Sequence, residues 1–261
     1  MSLIVSVVNQ KGGCGKTTTA VHLACAFATL DRRVLLVDLD PQGHAGMALG
    51  VEPLDHAPSL SDVLAHSPLS GLGRPLHEAI VAARPGLDCV PANLGLTALE
   101  SKLSSVPGRE DRLAEHLSDV GRGWELILID APPNLGLLTV NALVASHESI
   151  VPIEPSPFAI QGAERVIDTI GLVREMTGHR LEHRLLATMV GARDRHADRL
   201  IEAARSEWSG RVLQQRVRRC RQFGRAAARG RALGEIDPRS QAWHDYMRVA
   251  HELRELWSVD G

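Results

Sequence analysis

The stretch Leu3-Ile4-Val5-Ser6-Val7-Val8-Asn9-Gln10-Lys11-Gly12-Gly13-Cys14-Gly15-Lys16-Thr17-Thr18-Thr19 decides the fold, because an apolar run leads into a glycine-rich turn and then into Lys-Thr-Thr-Thr. A loop that wraps phosphate needs glycines, so that backbone N–H groups can turn inward around the oxygens, and a following helix whose N-terminus favours negative charge. Gly12, Gly13 and Gly15 meet the first need, and a helix expected over residues 17–30 meets the second. Lys16 can reach β- and γ-phosphate oxygens as a point charge, and the Thr17 hydroxyl can complete the shell of a bridging Mg²⁺. Gly12, Gly13, Cys14, Gly15, Lys16, Thr17 and Thr18 are therefore the candidate nucleotide-binding residues. The common pattern G-x-x-x-x-G-K-[ST] fails at one place: Gln10 stands at its first glycine, and a second lysine, Lys11, follows at once.

Two more apolar runs end in acid. Residues 33–38 (RVLLVD) lead to Asp38 and the loop Leu39-Asp40-Pro41-Gln42-Gly43-His44-Ala45, and residues 124–130 (WELILID) lead to Asp130 and Ala131-Pro132-Pro133. An aspartate at the carboxyl end of a parallel strand beside a phosphate loop is placed to hold Mg²⁺, usually through water, so Asp38 and Asp130 join Thr17 as metal candidates. Lys11-Gly12-Gly13-Cys14-Gly15-Lys16-Thr17 reads as a deviant Walker A box, K-G-G-x-G-K-[ST], and on it the chain resembles the ParA/MinD family of P-loop ATPases. The loop after Asp38 is similar to the D-x-D-P-Q-G-N-A of the ParA subgroup, with His44 where asparagine is usual, and Asp130 matches its Walker B acid. Further matches run through residues 135–144 (LGLLTVNALV) and 237–240 (DPRS), so the resemblance spans nearly the whole chain and is nearest to ParA/Soj-type partition ATPases.

The expected architecture is α/β: a mostly parallel, doubly wound P-loop sheet flanked by helices on both faces, with residues 1–261 forming one domain. The first strand begins at residue 3, which leaves no room for the N-terminal helix-turn-helix of the larger plasmid ParA type. Short apolar strands are also expected over residues 87–91, 149–153 and 185–190, and helices over 59–66, 109–120, 139–146, 159–176, 197–208 and 240–257. Residues 57–86, rich in Pro and Gly, read as a surface excursion. Aromatic residues are only 3%, so the core must be built from Leu, Val, Ile and Ala. The four cysteines show no metal spacing, and no run of about 20 apolar residues reads as a membrane span.

A net charge of −2 argues by itself against a nucleic-acid binder, but the distribution argues the other way. Eight arginines fall between Arg211 and Arg231 with no Asp or Glu among them. A charge run is most simply a solvated face. The resemblance implies more, since the family docks non-specific DNA through this part of the chain and Arg219 matches the arginine of its I-P-R segment. Arg216, Arg218, Arg219, Arg221 and Arg225 are the candidate DNA-binding residues; Arg225 stands where many relatives carry the glutamate of E-A-P-S.

The resemblance implies an ATP-dependent homodimer in which Lys11 crosses to the partner's nucleotide, Lys16 and Thr17 act in cis, and Asp40 orients the attacking water. Lys11, Lys16 and Asp40 are thus the candidate catalytic residues, with ATP and Mg²⁺ as cofactors. The absence of an N-K-x-D guanine motif favours ATP over GTP. Implied partners are non-specific double-stranded DNA and a ParB-like or cargo-adaptor protein, in the cytoplasm on the nucleoid. The cargo is open between a chromosome, a plasmid and a protein assembly such as a carboxysome or chemoreceptor cluster. A MinD-like membrane ATPase is the alternative of another class; yet the end of the chain, residues 247–257, has balanced charge and reads as a core-packing helix, so no membrane is expected. An electron-transferring relative like the nitrogenase iron protein needs two cysteines for a bridging cluster, and none follows Asp130 until Cys220. Cys14 is open between a reactive thiol at a helix N-terminus and a small residue that fits the loop, and His44 between a hydrogen-bonding stand-in for asparagine and a neutral surface residue.

Overall fold

A computed structural model describes residues 2–120, 123–156 and 159–259, with the backbone alone at 159–161 and 259. Its strands are β1 (Leu3–Val7), β2 (Val34–Asp38), β3 (Val81–Arg84), β4 (Leu87–Val90), β5 (Leu126–Asp130), β6 (Glu148–Ile153), β7 (Glu182–Val190) and β8 (Val212–Arg218). They form one sheet in the order β3-β4-β2-β5-β1-β6-β7-β8, parallel throughout except for β3, which pairs antiparallel with β4. The central strands carry apolar side chains on both faces, as a sheet covered on both sides requires. In β2 and β5 every residue is buried.

The helices are α1 (Lys16–Thr29), α2 (His44–Leu49), α3 (Leu60–Leu64), α4 (Gly95–Leu103), α5 (Arg112–Asp119), α6 (Leu137–Ala145), α7 (Ala159–Thr177), α8 (Arg195–Glu207), α9 (Gln222–Ala227), α10 (Leu233–Ile236) and α11 (Gln241–Val259). Alternation along each strand divides them. Leu35, Val37, Ile127 and Ile129 face a core shared with α3 to α7, whereas Val34, Leu36, Leu126 and Leu128 face a core shared with α1, α2 and α9 to α11. The closing helix packs as its spacing suggests: Trp243, Tyr246, Val249, Ala250 and Leu253 are buried, and Trp257 stacks on Phe27 with ring centroids 5.3 Å apart. No helix among the described residues is long and apolar enough to cross a membrane.

The excursion over residues 57–86 holds more order than its composition suggests. Ser59 opens α3 with a capping box, its hydroxyl accepting from the Asp62 N–H and its own N–H donating to Asp62 Oδ2 at 3.0 Å. The segment ends in β3, which Gly86, at φ 77°, turns back onto β4.

Candidate phosphate site and arginine surface

The glycine-rich loop joins the carboxyl end of β1 to α1. Gly13 and Gly15 have φ of 76° and 92°, a left-handed conformation that side chains disfavour, and these turns leave Lys16 as the first residue of the helix. Lys16 is buried, with Nζ donating to the Lys11 carbonyl at 3.4 Å across the mouth of the loop. Two contacts pin the loop from outside. Asn9 donates from Nδ2 to the Pro152 carbonyl at 2.6 Å while its Oδ1 accepts the Lys11 N–H at 3.0 Å, and Thr188 Oγ1 donates to the Cys14 carbonyl at 2.8 Å. Cys14 itself is fully buried, and burial pushes its thiol up despite the nearby Lys16, so it behaves as a small packing residue.

Strand register brings the two aspartates to the same end. Asp38 and Val7 each lie opposite Asp130, so β2 and β5 deliver their acids beside the strand that feeds the loop. Burial raises both carboxyls, Asp38 to about 7 with the charge of Asp40 adding to it, and Asp130 well above the usual range with the charges of Asp38 and Asp40 adding to it. Their surroundings differ. Asp38 accepts three backbone N–H groups, from Asp40 at 3.1 Å, Ala45 at 2.9 Å and Gly46 at 3.0 Å, and thereby ties the 39–46 loop to the sheet. Neither oxygen of Asp130 has a hydrogen-bond partner among the described residues, although Thr17 and Lys16 lie near enough to favour its charged form. A buried carboxylate with no donor is costly unless a cation supplies the missing contacts, so Thr17 and Asp130 are a fit for Mg²⁺, while Asp38 already has its oxygens occupied.

Asp40 is half-buried on the loop after β2, and its Oδ1 accepts from the Gln42 N–H at 3.0 Å. His44 begins α2, is exposed, and makes no hydrogen bond by its ring among the described residues. It borders a cavity of about 360 Å³ whose walls include Thr17, Thr18, His22, Met47 and Phe223. This cavity joins the phosphate loop to the segment that carries the arginines.

The five candidate arginines divide into two groups. Arg216 and Arg218 on β8 and Arg219 just beyond it share a groove with Arg193, Arg248 and Asp245. Arg221 and Arg225 lie on the other side of the turn, at the start and within α9. The absence of acids along this stretch does not leave it bare. Arg211 pairs with Glu182, Arg216 with Asp198, Arg218 with the buried Asp245 at 2.6 Å and Arg219 with Glu154 at 2.8 Å. Arg221, Arg225, Arg229 and Arg231 make no ion pair among the described residues. Arg193, also in the groove, escaped sequence reasoning because it follows β7, far from the run. So did Asn9 and Thr188, whose partners lie 143 and 174 residues away.

The segment is fixed to the nucleotide end by several contacts. His22 of α1 is buried among Phe223, Trp243 and Tyr246 and accepts the Leu233 N–H at 3.1 Å, and Thr19 is 3.0 Å from the Tyr246 hydroxyl. Gly230 presses on the turn that ends α2, where an added Cβ would come 2.7 Å from Gly50 Cα.

A family model described as an AAA domain (AAA_31) matches residues 2–183. The sporulation initiation inhibitor protein Soj of Bacillus subtilis is 34% identical over 97% of this chain and 98% of its own length. The chain belongs to the ParA/Soj family of P-loop ATPases. The chromosome partitioning protein ParA of Myxococcus xanthus is 33% identical, over 96% of this chain and 87% of its own. Among solved structures, one named cobyrinic acid a,c-diamide synthase of Mycobacterium smegmatis, with ADP and magnesium bound, superposes with a TM-score of 0.85 at 30% identity, covering 100% of this chain and 97% of that one. The mostly parallel sheet expected from the ParA/MinD resemblance is the fold observed.

Proposed function

We propose that the chain is an ATP-driven switch, a single ATPase domain over residues 1–261 that closes into a two-ATP homodimer, binds DNA of any sequence in that state, and segregates or positions a cargo. The observation that carries this reading is the unpartnered, buried Asp130 carboxylate beside Lys16 and Thr17, on a chain that matches Soj over almost its full length. Lys16 and the N–H groups from Gly12 to Thr18 hold the phosphates, and Thr17 with Asp130 holds Mg²⁺. When bound, Mg²⁺ neutralises charge shared by the β- and γ-phosphates. Asp38 fixes the loop that carries Asp40, and Asp40 orients the attacking water. Lys11 reaches across to the nucleotide of the partner subunit and stabilises charge developing in the transition state, as an arginine finger does elsewhere.

Dimerisation brings two arginine surfaces onto one assembly, and DNA affinity rises steeply with the number of phosphates neutralised. ATP thus times residence on DNA, with slow turnover that a ParB-like or cargo-adaptor protein stimulates. The working place of such a switch is the nucleoid in the cytoplasm. The test is light scattering with ATP and Mg²⁺, paired with anisotropy on duplexes of unrelated sequence. A dimer that binds both duplexes equally, and only with ATP, is expected. A persistent monomer, or DNA binding indifferent to nucleotide, would overturn the reading.

A further inference from the structure

Glu154 follows β6 at the edge of the phosphate loop, and no motif drew attention to it. Its Oε2 accepts from Lys11 Nζ at 2.8 Å, and its Oε1 accepts from Arg219 Nη2, also at 2.8 Å. Lys11 and Arg219 are 208 positions apart, yet each lies against one oxygen of the same carboxylate. The first is the lysine assigned above to the partner's nucleotide, the second an arginine assigned to DNA. Asn9 fixes the geometry, since its bonds to Pro152 and to the Lys11 backbone hold the start of the loop against the end of β6.

Resting on the function proposed above, we propose that Glu154 is an internal stand-in for phosphate, a positioning residue that holds Lys11 and Arg219 within their own subunit until nucleotide and DNA compete for them. The physical argument is one of competition. A carboxylate and a phosphate oxygen seek the same donors, so Lys11 must leave Glu154 to reach across the dimer, and Arg219 must leave it to reach DNA. All three side chains are partly exposed, at 43% for Lys11, 25% for Glu154 and 66% for Arg219, so the hold is weak enough to be displaced. Two cations on one carboxylate also repel each other. When one departs, Glu154 holds the other more firmly, so the first step of switching sets a threshold for the second.

The test is Glu154→Gln in the full chain, which keeps the shape and removes the charge. The ATP concentration giving half-maximal dimer should fall about three-fold, the scale of an exposed ion pair. DNA affinity should rise, and the log–log salt slope of the dimer should steepen by up to about two units, as Arg219 of each subunit becomes a full phosphate contact. With Arg219→Ala added, the ATP shift should remain and the slope change should vanish. Glu78→Gln, the same charge change beside the β3 edge, should move neither readout. Glu154→Asp, which keeps the charge on a shorter arm, should fall between, and it carries the test if the glutamine variant melts early. Wild-type values from Glu154→Gln, or a loss of dimer and DNA binding, would overturn the stand-in. A wild-type chain that neither dimerises with ATP nor binds DNA would instead overturn the function on which the idea rests.

Discussion

The phosphate loop and the arginine segment both carry positive charge to a surface, and they do so in opposite ways. The loop assembles its chemistry from neighbours in sequence: glycines, Lys16 and Thr17 follow one another, and the turn they make is enough to aim them. The arginine segment concentrates charge in sequence but loses part of it in space, because Asp198, Asp245 and Glu154 arrive from 18, 27 and 65 residues away to pair with Arg216, Arg218 and Arg219. A motif whose parts are contiguous can be read from the chain. A net charge cannot, because its counter-ions need not be local.

The largest expected effect falls on the contiguous side. Lys16→Ala should weaken ATP binding by two orders of magnitude or more, on the order of a charge-assisted contact to two phosphates, as titration calorimetry would show. Lys11→Ala should bind ATP nearly as wild type yet stay monomeric and inactive, because its work is done across the interface. A normal dimer in light scattering of the Lys11 variant would make the two lysines equivalent, and the distinction between them would go.

His22 joins the two regions, and it should give the next largest effect. Burial drives its ring to about 4, so the folded protein keeps it neutral. The unfolded chain takes up the proton first, so this contribution is complete above the ordinary histidine value and is lost as pH falls towards 4. The scale is about 3 kcal/mol over that window. His183, also lowered to about 4, works in the same direction, so only the difference between wild type and His22→Gln isolates the first ring. Urea denaturation at pH 7 and pH 4.5 should show a flatter pH dependence in the variant, and equal slopes would mean that the ring is not held neutral in the fold.

The two strand-end aspartates sharpen the contrast on a smaller scale. Asp130→Asn removes a buried carboxylate without donors, so the protein in EDTA should gain about 1 kcal/mol of stability while Mg²⁺-dependent nucleotide binding falls. Asp38→Asn gives up an acceptor of three N–H groups and should lose about 2 kcal/mol in the same buffer. Losses of similar size in denaturant titrations would mean that both acids are structural.

The sequence marks both aspartates by the same rule, an acid at the end of an apolar strand, and says nothing of how their hydrogen bonding differs. The fold was legible for a related reason. Buried strands read as continuous apolar runs, so β1, β2 and β5 stand out, whereas β8 alternates, with Val212, Leu213 and Val217 buried and Gln214, Arg216 and Arg218 exposed, as an edge strand does. β3 offers only Val-Ala-Ala-Arg, and α4 begins without a side-chain cap, so neither announces itself.

The smallest effects should lie within the arginine segment, and they decide whether pairing matters there. Arg221 and Arg225 are exposed and have no acidic partner among the described residues, so each is ready to meet phosphate without first giving up an ion pair. Arg216 is as exposed but already holds Asp198. Changing Arg221 or Arg225 to alanine should each reduce the salt slope by up to about two units, one for each subunit of the ATP-bound dimer, and weaken its binding several-fold, uniformly across duplex sequences, since phosphate contacts carry no base information. Arg216→Ala should cost less, because the arginine it removes was partly neutralised already by Asp198. Anisotropy over a range of salt measures all three on one scale. If Arg216→Ala proves as costly as Arg221→Ala, DNA displaces the carboxylates without penalty, and the charge run as written in the sequence would be the better guide to the surface.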